Sequence, residues 1–286
     1  MTGARLRFLA WVVALAGFLA ACTPTAGPQN AATAPVSTAV PSGTASFGPV
    51  AAEADDTLTP PPAPTTASAP GSPPAAATAQ APHAPAPQPF AVNLYRDGDF
   101  VPQYTFDWCV AASIQMAHNL LDDTGGGTWA DRAQQSELWE MARARSSDSF
   151  NGANPYGWAQ VLTESGMGSY RVVSIPDYGE ALRTASRAIT ETGRPVGLVM
   201  WSGRHAWVMS GFESLGDPRQ FADFSVTGIH VLDPLYPYGS TQWGPSPAPN
   251  SLLSPEQLAT QFVIREPRRW SSGLPAGYLL VLPVAA

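Results

Sequence analysis

Two spacings of apolar residues organise the chain between residues 108 and 283. From Trp108 onward Val110, Ile114, Ala117 and Leu121 recur at three- and four-residue steps, the period of one helical face. Pro102 and the polar residues before Trp108 stop that helix extending backward, and Gly125-Gly126-Gly127 ends it forward. Further helices are expected over residues 129–145, 156–164, 178–192 and 255–261. The second spacing belongs to short apolar runs bounded by Gly, Pro or Asp, which read as strands at 170–175, 195–200, 205–212, 224–232 and 277–283. Helices come first and strands later. That order predicts an α+β domain whose N-terminal helices pack against an antiparallel sheet.

Composition sets the limits of that domain. Residues 23–89 hold 16 of the 30 prolines and three acidic residues, with no Arg and no Trp, whereas residues 90–286 hold eight of the nine tryptophans. A stretch so poor in large apolar side chains cannot bury enough surface to offset its ordering entropy. Residues 90–286 are expected to form one domain, and residues 22–89 a flexible Pro/Ala-rich tether spanning on the order of 45 Å. All fifteen basic residues are Arg, and the chain carries a net charge of −7. Nothing in it resembles the basic stripe that nucleic-acid binding requires, so no nucleic-acid partner is expected.

Arg5 and Arg7 precede an apolar run from residue 8 to 21, the pattern of a secretory signal peptide. The run is about 14 residues, short of the roughly 20 that cross a bilayer. It closes with Leu19-Ala20-Ala21-Cys22, which resembles the lipobox of bacterial lipoproteins. The resemblance implies that residues 1–21 are removed and that Cys22 is acylated. It implies an exported protein, anchored by lipid to a bacterial membrane and facing the extracytoplasmic side.

With Cys22 assigned to the lipid, Cys109 has no disulfide partner in an oxidising compartment, which points to a reactive thiol, intermolecular pairing or a buried small hydrophobe. Its place in the first helical turn favours the first, because unpaired backbone amides and the helix dipole stabilise a thiolate there. Gln103, six residues upstream, is placed to offer its amide to a developing oxyanion.

A base must come from four histidines. His83 falls in the tether. His118 is nine residues beyond Cys109 on the same helix, about 180° round and roughly 13.5 Å along it. His230 lies three residues before Asp233 on one strand, hence on the opposite face if the strand is regular. His205 remains, entering a buried strand. Asp233, ending the next strand ahead of Pro234, is the candidate to fix the imidazole's tautomer, with Asp223 as fallback. Trp129, Trp158, Trp207 and Trp243 are candidates for cleft walls or for core.

These residues carry a resemblance. Gln103, then Cys109 with Ala111-Ala112-Ser113 and Met116, then His205 with Gly211, then Leu232-Asp233-Pro234, are similar to bacterial papain-like cysteine peptidases. Among such peptidases the pattern resembles the bacteriocin-leader-processing peptidase-like domains and the effector-type papain-like peptidases. The likeness spans most of residues 95–283, although Val110 stands where many relatives have Trp and a polar loop over 213–220 lengthens the stretch before Asp233. It implies a Cys109-His205-Asp233 triad with Gln103 as oxyanion donor, acting on a peptide or other amide. No cofactor is expected, and no His/Cys cluster has metal-ligand spacing. The rival readings are a non-catalytic peptide- or wall-binding module of the same fold, and an amidase or transpeptidase using the same triad.

Overall fold

The computed structural model describes residues 86–124, 127–146, 152–268 and 273–285, all within the unit Ala76–Ala286. The signal segment, Cys22 and the tether up to residue 85 lie outside the described residues.

In chain order the elements are β1 (Pro89–Asn93), α1 (Cys109–Leu121), α2 (Arg132–Ala144), α3 (Pro155–Glu164), β2 (Tyr170–Ile175), α4 (Tyr178–Thr192), β3 (Val196–Met200), β4 (His205–Leu215), β5 (Ser225–Leu232), β6 (Gly239–Ser240), β7 (Gly244–Pro245), β8 (Ser251–Leu253), α5 (Pro255–Ala259) and β9 (Tyr278–Pro283). Seven strands form one sheet in the order β2-β9-β3-β4-β5-β8, with β1 also paired to β4, and β6 and β7 form a separate hairpin. Every pairing in the large sheet is antiparallel. The domain is therefore α+β, as its sequence order predicts.

The sheet is covered on both faces, and the alternation along β4 shows how. Trp207 and Met209 point into a cluster with Ala181, Leu182, Ala185 and Ile189 of α4. Ala206 and Val208 point into the opposite cluster, with Ala111 and Ile114 of α1 and Trp158, Val161 and Leu162 of α3. A period of two thus gives a helix layer on each side. The N-terminal helices lie on one face and α4 lies on the other. At Gly197 of β3 an added Cβ would come within 2.5 Å of the Trp158 ring, so the missing side chain is what lets that indole lie against the sheet.

The expected elements differ from the observed ones mainly at their ends. The second helix starts at Arg132 because the Asp131 side chain caps it, accepting from the Gln134 amide. The 205–212 strand runs on to Leu215 along β5. β1 is absent from the expected strands, since its Pro-containing start shares the tether's composition. Tertiary context makes it a strand: β3 borders residues 205–209 of β4, and β1 takes over along residues 211–215. Gly211 permits that approach, because a Cβ there would meet the Val92 carbonyl oxygen at 2.2 Å.

Candidate active site

Cys109 is the first residue of α1, and the helix has no side-chain cap. The N-cap residue is Trp108, whose indole can donate a hydrogen bond but cannot accept one. The first intrahelical bond is accepted by the Trp108 carbonyl from Ala112. The first-turn amides, including that of Cys109 itself, are therefore left to whatever occupies the helix tip. Along the rest of α1 nearly every residue is buried, so the helix is held on all sides and its tip cannot drift.

The loop feeding that tip is fixed to two other elements. The Gln103 backbone N–H donates to Pro234 O (2.8 Å), tying the loop to the residue after Asp233. The buried Gln135 side chain accepts from Tyr104 N (2.8 Å) and donates to Pro102 O (3.1 Å) and Gln115 Oε1 (2.7 Å), locking the loop to α2 and α1.

His205 opens β4 and Asp233 directly follows β5. The antiparallel register, with Val208 opposite Leu232, brings those two strand ends together. The result is a contact of 2.7 Å between His205 Nε2 and Asp233 Oδ1, with His205 6% and Asp233 0% exposed. The same carboxylate oxygen accepts from Leu235 N (2.9 Å), which fixes its orientation. Because Nε2 is engaged by Asp233, Nδ1 is the ring nitrogen left for the thiol of Cys109, which lines the same cleft as His205.

Burial alone would drive the His205 ring toward its neutral form. The bond to Asp233, the nearby Cys109 and the charges of both partners outweigh it, raising its pKa to about 9. An imidazolium is thus held at neutral pH inside a water-poor site.

Cys109 and His205 open onto one cleft of about 610 Å³, with Asp233 buried behind the imidazole. Cys109 and His205 line it together with Trp158, Arg204, Arg265 and Arg268. Phe106, 80% exposed, and Asp107 stand on the loop that enters α1 and also line the cleft.

Of the expected site residues, Asp233 reaches this space only through His205, and Gln103 turns away from it. Its amide nitrogen donates to Thr105 O (3.0 Å) and Phe106 O (2.8 Å). A turn in its own loop, with Trp108 N bonded to Thr105 O, carries those carbonyls within reach before the cleft begins. Gln103 therefore shapes the approach to Cys109, and the amide donors that face the helix tip are backbone ones. His118 stacks on Trp129 with centroids 3.9 Å apart, and His230 Nδ1 meets Asn250 O at 3.3 Å; neither is among the residues of the cleft. Of the four tryptophans, Trp158 is a cleft wall, Trp207 is core, and Trp129 and Trp243 pack at the edges of the two clusters.

Trp201 completes the site without having been expected. Its ring stacks on His205 at 4.1 Å and 23°. Gln261 holds it there by accepting from its indole Nε1 (2.9 Å) and from its backbone N–H (3.0 Å). Trp201 and Ser202 both have φ of +55°, a conformation costly for residues with a Cβ. The β3–β4 turn is strained next to the imidazole. A Trp before Ser-Gly-Arg-His is a weak sequence signal, because nothing in it announces a left-handed backbone.

Among the described residues no group of three or more His, Cys, Asp or Glu could hold a metal ion. The fold and site together define an α+β domain with a thiol, an imidazole and a carboxylate converging at a cleft. Among solved structures the chain is similar to the crystal structure of UfSP from C. elegans, with 15% sequence identity and a TM-score of 0.39, the match covering 73% of this chain and 36% of that one. No protein-family model matches the chain, and no curated protein matches it.

Proposed function

We propose that the domain is a papain-like cysteine hydrolase that cleaves a peptide or other amide bond, and that it works outside the cytoplasm, held to a membrane by lipid at Cys22. The observation that carries the enzymatic reading is the arrangement itself: Cys109 at the helix tip shares one cleft with a buried His205, which meets a fully buried Asp233 at 2.7 Å. A binding module has no use for an imidazolium kept charged beside a thiol at the tip of an uncapped helix.

In this reading the Cys109 thiolate attacks the substrate carbonyl carbon. The α1 first-turn amides hold the oxyanion, which forms where their positive end already lies. His205 passes its Nδ1 proton to the amine as the C–N bond breaks, leaving a thioester on Cys109. Water, deprotonated by the now neutral His205, attacks the thioester and releases the acid and the thiolate. Asp233 keeps the ring in one orientation throughout, and Gln103 fixes the loop that aims the thiol.

The test uses the full chain with its Cys109→Ala and Cys22→Ser variants, expressed in a bacterium. Purified peptidoglycan and a peptide library are digested side by side. The reading requires cleavage or amide transfer by the parent and none by Cys109→Ala, with fast alkylation of Cys109 by iodoacetamide at neutral pH. Sluggish alkylation seen only near the pH where a free thiol ionises, about 8.5, would favour the binding module. Cys22→Ser should move the protein from the membrane fraction to the soluble one; an unchanged membrane fraction would remove the lipid anchor.

A further inference from the structure

The arginines of this acidic protein are not treated alike. Away from the cleft Arg96 pairs with the buried Asp99, Arg145 with Glu164, Arg183 and Arg187 with Glu180, and Arg219 with Asp217, while Arg132, Arg143, Arg171 and Arg194 have no carboxylate partner among the described residues. At the cleft such cations are gathered in one place. Arg204 meets only Gln242 Oε1, at 3.4 Å, and Arg268 meets Ser202 Oγ, at 3.3 Å. Neither has a carboxylate partner among the described residues.

Both belong to one wall. Arg204 directly precedes His205, and Arg268 bonds to Ser202 in the same β3–β4 turn. Arg265, 2% exposed, lies alongside: an added Cβ on Gly203 would be 3.0 Å from its Cδ. Its guanidinium is anchored on Leu274 O and Pro275 O (2.8 and 2.9 Å). The absence of a side chain at Gly203 thus lets a third cation pack behind the turn. Asp107 is the only carboxylate among the described residues lining the cleft.

The first turns of α1 and α3 also contribute to the lining, through Cys109 and Val110 and through Pro155 and Trp158. Each presents the positive end of a helix dipole. A chain with a net charge of −7 has therefore concentrated positive potential in one concave site, where low-dielectric walls strengthen its effect.

We infer that the substrate of this cleft is an amide bearing a carboxylate close to the scissile bond, docked on the Arg204–Arg268 wall. The inference rests on the hydrolase reading only in taking this cleft as the place of reaction. The guanidinium fork matches a carboxylate in geometry, and a neutral substrate would leave two cations without a counter-charge.

The test reads the potential at Cys109 with two methanethiosulfonate reagents, one carrying a sulfonatoethyl and one a trimethylammonioethyl group. Each forms a mixed disulfide with the thiolate and releases methanesulfinate. Their rate ratio at one pH cancels the thiolate fraction and reports the charge around the sulfur, and the change on replacing the arginines isolates their share from that of His205. The ratio, anionic over cationic, should exceed that of free cysteine. In Arg204→Gln/Arg268→Gln it should fall by ~10-fold in dilute buffer and by less at physiological salt. Arg204→Lys/Arg268→Lys, which keeps both charges, should retain the parent ratio. A ratio unchanged by the Gln pair, or equal to that of free cysteine in the parent, overturns the inference. Slow reaction with both reagents at neutral pH, with the ratio still lost in the Gln pair, would instead count against the hydrolase reading alone.

Discussion

At His205 burial and hydrogen bonding pull in opposite directions, and the outcome sets the pH range of the chemistry. Desolvation favours the neutral ring; Asp233 and Cys109 together raise its pKa to about 9. The proposed hydrolysis uses the imidazolium as proton donor to the leaving amine, so kcat/KM should fall above about pH 9. Alkylation of Cys109 needs no donor and should not fall there. Asp233→Asn removes the charge and the fixed acceptor. The alkaline limb of hydrolysis should then move toward neutrality, and the rate at pH 7 should drop by ~100-fold or more. The two pH profiles, measured on parent and variant, check this. An unmoved limb would mean that Asp233 orients nothing. Trp201 belongs to the same scale: stacked on the ring and held by Gln261, it blocks one way for water to reach the His205–Asp233 bond.

At the scale of elements, α3 reaches the cleft through a single indole. Trp158 lies over Gly197 of β3 and also lines the cavity. Gly197→Ala puts a methyl 2.5 Å from the ring's far edge, so the indole must be displaced from its packed position against β3, and the cleft it lines is the open space beside it. Overpacking of this kind costs about 1–3 kcal/mol. Urea unfolding should show that loss, and KM should change because a cleft wall has shifted; unaltered stability and KM would show that the ring yields freely. The elements themselves were largely legible, because α1, β2 and α4 carry uninterrupted periodicity. The meeting of Cys109, His205 and Asp233 was legible as an arrangement, because each stands at an element end that the sequence pattern marks. Three features were not legible. β1 forms because β4 offers it an edge, Gln103 turns away because its loop carbonyls come within reach, and Trp201 depends on a left-handed backbone. Each is decided by contacts distant in sequence or by dihedral choices that residue type leaves open.

For the described domain as a whole, two histidines set opposite slopes of stability with pH. Burial first, against a smaller opposing effect of Asp122, lowers the pKa of His118. The unfolded chain therefore takes up that proton more readily, and stability should rise with pH until the unfolded histidine value of about 6.5 is passed. His205 is shifted the other way, to about 9. The folded state holds its proton more tightly than the unfolded one, so this contribution is complete below about pH 6.5 and is lost as pH rises to 9. At 1.36 kcal/mol per unit the loss is on the order of 3 kcal/mol. Tyr170 and Tyr178, whose pKa values burial raises, lose stability only above the unfolded tyrosine value of about 10. Unfolding free energies from urea titrations at closely spaced pH values should peak near neutrality and decline by pH 9. His205→Gln should be less stable throughout and flatter between pH 6.5 and 9. A parent curve still rising across that interval would show that His205 is not held as a cation, and the proton the proposed mechanism gives to the leaving amine would have no source.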